Sequence, residues 1–134
     1  MRAVVDASAA VTLMLDPSRR GFAAQLTSYD SLHAPSHFDV ECSSAFRKAM
    51  FRGILSDEHF KRLTLALPQL PIQRHAIAPL LPRMIEISRN ASMYDAAYMA
   101  LAEGLSADLI TSDARLQTVP GVKCRVIHAG SSTP

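Results

Sequence analysis

Hydrophobic positions fall along the chain in two rhythms, short unbroken apolar runs and longer stretches spaced every three or four residues. Ala3-Val4-Val5 is a run of the first kind, with no alternation, and reads as a strand buried on both faces, as in parallel sheets. It breaks on Asp6. Asp108-Leu109-Ile110-Thr111, within Leu105 to Ser112, repeats that rhythm and breaks on Ser112-Asp113. Weaker strand signals lie at Leu32-His33-Ala34, at Leu70 to Arg74, where Pro71 confines the strand to a sheet edge or a strand's beginning, and at Val122 to His128. Helical spacing predicts helices from Ser8, as N-cap, to Leu15, and from Arg19 to about Ser28. Further helices are predicted from Ser36 to Arg52, closed by Gly53, from Ser56 to Pro68, and from Ile77 to Arg89. Pro79 and Pro82 suit only the opening turns of that last one. Ser92 opens the clearest helix, closed by Gly104, and Ala114-Arg115-Leu116 is a short one.

Strands alternating with helices predict one α/β domain over residues 1–130, a central, mostly parallel twisted sheet of four or five strands flanked by helices, with a disordered tail at 131–134. The 134 residues suffice for a single core and leave no room for a second domain. The longest apolar run, Ala96 to Ala102, is far short of the roughly 18 residues of a membrane span. Met1-Arg2 leaves no space for a leader, so a cytoplasmic location is expected, in which Cys42 and Cys124 read as small buried apolar residues. The net charge of +2 is too small to establish a nucleic-acid partner. If four of the 12 acids gather at one place, however, the remainder carries 14 basic groups against 8 acidic ones, an excess compatible with a phosphate backbone.

Each acid at an element boundary has a plain explanation when taken alone. Asp6 can be a turn-former or N-cap, Glu41 an exposed residue flanking a helix face, Asp95 part of a capping box with Ser92, and Asp113 an Asx turn. Together they form a pattern, because strand carboxyl ends and the following helix starts share one edge of a parallel sheet, where α/β proteins bind ligands. Four carboxylates converging there would repel. A hard divalent cation, Mg²⁺ or Mn²⁺, resolves the conflict through oxygen ligands.

The segments AVVDAS, DVECSSAFRKA, SMYDAAYMALAE and LITSDARL, in this order and separation, resemble the PIN-domain ribonucleases of the VapC toxin type, nearly end to end. The resemblance implies a metal-dependent endoribonuclease of a toxin–antitoxin system, cutting RNA such as tRNA, rRNA or mRNA. Asp6, Glu41, Asp95 and Asp113 match the family's four acidic positions, and Ser8 and Ser112 its neighbouring hydroxyl positions. By this likeness Asp6 and Asp95 are the principal ligands of one or two ions, Asp113 acts directly or through water, and Glu41 orients water or a second ion. RNA would be held by some of Arg19, Arg20, Arg47, Lys48, Arg52 and Arg115. A homodimer and a VapB-type antitoxin crossing the active groove are implied as well, with a basic side chain among the acids and the Leu63 to Leu67 face as a possible contact. Other readings of strand-end acids fit less well. A phospho-accepting receiver expects paired acids after the first strand and a late lysine, and an aspartyl phosphohydrolase expects an acid where Ser8 stands. An inactive binding module of the same fold stays open.

Overall fold

The computed structural model describes residues 1–130. Five parallel strands form one sheet in the order β3-β2-β1-β4-β5: β1 (Arg2–Val5), β2 (Ser31–Pro35), β3 (Ile72–His75), β4 (Asp108–Thr111) and β5 (Val126–His128). Helices α1 (Ala7–Leu15) and α2 (Arg20–Thr27) connect β1 to β2. Helices α3 (Phe38–Phe51) and α4 (Asp57–Ala66) connect β2 to β3, and α5 (Leu81–Ile87) and α6 (Met93–Gly104) connect β3 to β4. From β1 the chain winds outward one way to β3, then returns to β4 and continues the other way. The winding reverses between β1 and β4, and in such sheets a crevice opens beyond the strand ends at that point.

The short apolar runs become the fully buried centre. Val4, Val5, Leu109 and Ile110 have no exposed surface, and α6 covers the sheet with an unbroken buried run from Ala96 to Ala102. Its alanines let helix and sheet approach closely, and α6 packs against β1, β2 and β4.

Several boundaries differ from expectation, each for a local reason. Helix α1 is capped by Asp6 rather than Ser8: the Asp6 carboxylate accepts from the Ala9 amide, and helix begins at Ala7. The stretch expected as one helix from Ile77 splits into a 3-10 turn at Ala78–Leu80 and α5, because Pro79 and Pro82 each occupy the opening of a new segment. The third strand runs Ile72–His75, after Pro71, at the sheet edge. The final strand begins only at Val126, whereas β4 spans Asp108–Thr111 as expected. Ala114–Thr118 is a 3-10 turn. Cys42 is buried, whereas Cys124 is partly exposed. The tail expected at 131–134 lies outside the described residues.

Candidate active site

Asp6 follows β1 at the reversal point, only 5% exposed, and both of its oxygens accept hydrogen bonds. Oδ1 accepts from Ser8 Oγ at 2.6 Å and from the Ala9 amide at 2.9 Å, and Oδ2 accepts from Thr111 Oγ1 at 2.5 Å. The two hydroxyls are themselves anchored by the chain that leaves β4. Ser8 Oγ accepts from the Ser112 amide, and Thr111 Oγ1 from the Asp113 amide. Burial pushes the Asp6 carboxyl above its ordinary range despite these donors, and the negative charge of Asp95 adds to the push.

Asp95 lies in the first turn of α6, where Ser92 Oγ accepts from the Asp95 amide. Burial raises its carboxyl too; the Ser92 hydroxyl opposes this, while the like charges of Asp113 and Glu41 reinforce it. Glu41, in the first turn of α3, reaches the same edge. Tyr98 Oη donates to its Oε1 at 2.8 Å, and His37 Nε2 stands 2.9 Å from that oxygen without a well-aligned hydrogen bond. The His37 ring meets Tyr98 edge-on at 5.0 Å between centroids. Burial, followed by the Glu41 charge, drives the Tyr98 phenol upward, so it stays a donor. Asp113 follows β4 and is gripped by Arg115, whose Nη2 lies 2.6 Å from Oδ2 and Nε 3.0 Å from Oδ1. That guanidinium holds the Asp113 carboxyl below the usual range, although Arg115 is itself 87% exposed.

The four expected acids therefore lie within electrostatic reach of one another in a chain, Asp113 and Glu41 acting on Asp95 and Asp95 on Asp6. The donors are hard oxygens, and two of the carboxyls are pushed upward by burial and then by neighbouring carboxylates, which suits a divalent cation. Among the described residues, however, no three His, Cys, Asp or Glu side chains close on a common point. Arg115 draws Asp113 outward and Tyr98 holds Glu41, so each has found another partner for its charge.

Of the expected supporting hydroxyls, Ser8 is on Asp6, while Ser112 is not: its Oγ is buried without a partner and only its amide is used. Thr111 takes that role. Strand alternation separates the two side chains, and the sequence pattern gave no sign of which one faces Asp6. Tyr98 was equally hidden, since it lies in the buried face of α6 as an ordinary core residue would. Among the expected RNA-binding residues, Lys48 borders an open cavity next to Glu41, Arg115 is taken by Asp113, Arg47 lies over the Phe51 ring at 4.7 Å, and Arg19 stands 3.5 Å from Asp16. Arg20 and Arg52 are exposed.

Residues 3–122 match the PIN domain family model. The chain is 40% identical over 113 residues to Ribonuclease VapC12 of Mycobacterium tuberculosis, covering 84% of this chain and 88% of that protein. It is 37% identical over 123 residues to VapC ribonuclease Mb0985 of Mycobacterium bovis, covering 92% and 94% respectively. In fold it is similar to a chain of the VapBC2 crystal structure from Rickettsia felis, bound to a DNA fragment from its promoter, with TM-score 0.70, 10% identity and coverage of 96% and 98%. It is similar also to PAE2754 of Pyrobaculum aerophilum, with TM-score 0.66, 20% identity and coverage of 96% and 84%. A model match spanning most of the chain, and relatives this similar over this length, have one meaning: the chain belongs to the PIN-domain family, among the VapC ribonucleases.

Proposed function

We propose that this protein is a metal-dependent endoribonuclease toxin, hydrolysing RNA phosphodiester bonds and restrained by a VapB-type antitoxin. The observation that carries the reading is that Asp6, Glu41, Asp95 and Asp113 stand at strand ends and helix starts on one edge of the sheet within electrostatic reach of one another, Asp113 and Glu41 acting on Asp95 and Asp95 on Asp6. The ribonuclease names of its relatives support it.

Asp6 and Asp95 would hold one or two Mg²⁺ or Mn²⁺ ions, with Asp113 directly or through water. When bound, such an ion supplies a water of lowered pKa and offsets charge building on the phosphate. The chain does the rest. Ser8, Thr111 and the Ala9 amide fix both oxygens of Asp6, so no reorganisation is needed when substrate arrives. Tyr98 and His37 leave Glu41 one oxygen, Oε2, for orienting a water. Arg115, exposed beside Asp113, can turn to a phosphate oxygen once a cation takes its place. Asp6→Asn or Asp95→Asn should abolish Mg²⁺- or Mn²⁺-dependent cleavage of a labelled RNA while circular dichroism stays native. Full activity of either variant would overturn the assignment.

The antitoxin is proposed from the toxin–antitoxin complexes among the fold neighbours, and the homodimer from the resemblance alone. A co-expressed antitoxin that neither binds the chain nor protects cells from it would count against the first. Sedimentation of the purified chain tests the second.

A further inference from the structure

Beside Glu41 lies an open cavity of about 410 Å³ lined by Val40, Glu41, Ser44, Ala45, Lys48 and Tyr94. Tyr94 is 65% exposed and Val40 70%, a costly display of apolar surface directly next to a charged centre. The Tyr94 ring is supported behind by His37, centroid to centroid 5.9 Å, and the same His37 touches Glu41. Lys48 stands on the same stripe of α3 as Glu41, two turns on, and makes no ion pair among the described residues. An aromatic plate, an unpaired ammonium and the Ser44 hydroxyl thus share one hollow.

We propose that this hollow is a nucleotide subsite in which Tyr94 stacks the base next to the scissile bond and Lys48 takes its phosphate. The inference rests on the ribonuclease reading and adds where the substrate is gripped. A base has a flat π-face for Tyr94, whatever its identity, and single-stranded nucleic acid is commonly held by such a pairing of aromatic ring and basic side chain. Tyr94 immediately precedes Asp95, so a stacked base would fix the adjoining phosphodiester at the acids. An acidic or purely apolar partner segment fits worse, because Glu41 repels the first and Lys48 is left unsatisfied by the second.

The chain contains no tryptophan, so Tyr94→Trp installs a single indole, selectively excited apart from the remaining tyrosines, at the proposed stacking position. In an Asp6→Asn background, which prevents cleavage, titration with a mixed-sequence single-stranded RNA decamer should quench that fluorescence to saturation. A decamer of abasic riboses should leave it almost unchanged, and adding Lys48→Ala should weaken the RNA titration. Kinetically, Tyr94→Ala in the otherwise native chain should raise KM for RNA about tenfold with kcat moved far less, and Tyr94→Phe should restore most of the binding. Equal responses to the two decamers, or no response, would overturn the subsite. So would an unchanged KM in Tyr94→Ala, including the case where that variant loses only antitoxin binding. Failure of the ribonuclease reading looks different: the native chain would not cleave RNA at all, while the fluorescence titration would still report whether a base stacks.

Discussion

Asp95 is where the fold and the chemistry oppose each other most openly. Its carboxyl is raised by burial and by the like charges of Asp113 and Glu41, so the fold disfavours its ionised form. Asp95→Asn removes that charge and keeps the side chain's shape. Without divalent metal the variant should melt about 3 °C above the native chain at pH 7. Mn²⁺ should raise the native melting temperature and leave the variant's nearly unchanged. A variant that melts lower would show that Asp95 is not strained, and one still stabilised by Mn²⁺ would show that it is not a ligand. The hydroxyls give a second contrast. Thr111→Val deletes a buried donor to the Asp6 carboxylate and should cost about 1–3 kcal/mol in chemical denaturation together with most of the activity. Ser112→Ala, which removes an oxygen without a partner, should be neutral or slightly stabilising.

Helix starts do much of the positioning, and their worth can be separated from their stability. Ser56 caps α4 and Ser92 caps α6 through the same side-chain-to-amide bond. Either serine changed to alanine should lose about 1 kcal/mol. Only Ser92→Ala should also lower RNA cleavage, because it frees the turn that carries Asp95, whereas α4 carries none of the four acids. Both caps are visible in the sequence, as serines followed by an acid and an apolar period. So are the buried strands at Val4 and Ile110, marked by short apolar stretches that break before an acid. What escaped was settled by contacts between distant segments. Asp6 displaced Ser8 as cap because β4 places Thr111 on one of its oxygens and orients Ser8 toward the other. Prolines 79 and 82 announced a break but not whether one helix or two segments would follow. The four acids were legible as a set through their place at element ends, and His37 as a local partner of Glu41 through its spacing four residues before it; Tyr98 and Arg115, which hold two of the acids, sit among residues of ordinary helical and turn pattern.

At the scale of the whole molecule, the two ends of the sheet carry charge in opposite ways. At the ends where strands begin, acids are paired: Asp108, 1% exposed, accepts from Arg125 at 2.8 Å and from Tyr29 at 2.8 Å, and the amino terminus meets Asp30. These hydrogen bonds outweigh burial and hold the Asp108 carboxyl below its ordinary value of 3.8. At the ends where strands finish, burial and mutual repulsion raise Asp6 and Asp95 above that same value. The two sets must answer pH with opposite sign. A proton prefers the unfolded chain at Asp108, so its contribution to stability is complete above 3.8 and disappears as pH falls through the lowered folded value. A proton prefers the folded chain at Asp95, so its contribution is present below 3.8 and is lost as pH rises through the raised folded value. Thermal unfolding of the metal-free native chain, Asp108→Asn and Asp95→Asn from pH 7 downward separates them. Asp108→Asn should melt below the native chain at pH 7, with the gap closing only at the acid extreme. Asp95→Asn should melt above it at pH 7, with the gap closing earlier, as pH falls through the raised value. Gaps of the same sign would mean that the acids at the finishing edge are compensated in the folded chain already, and the case for a cation there would lose its electrostatic basis.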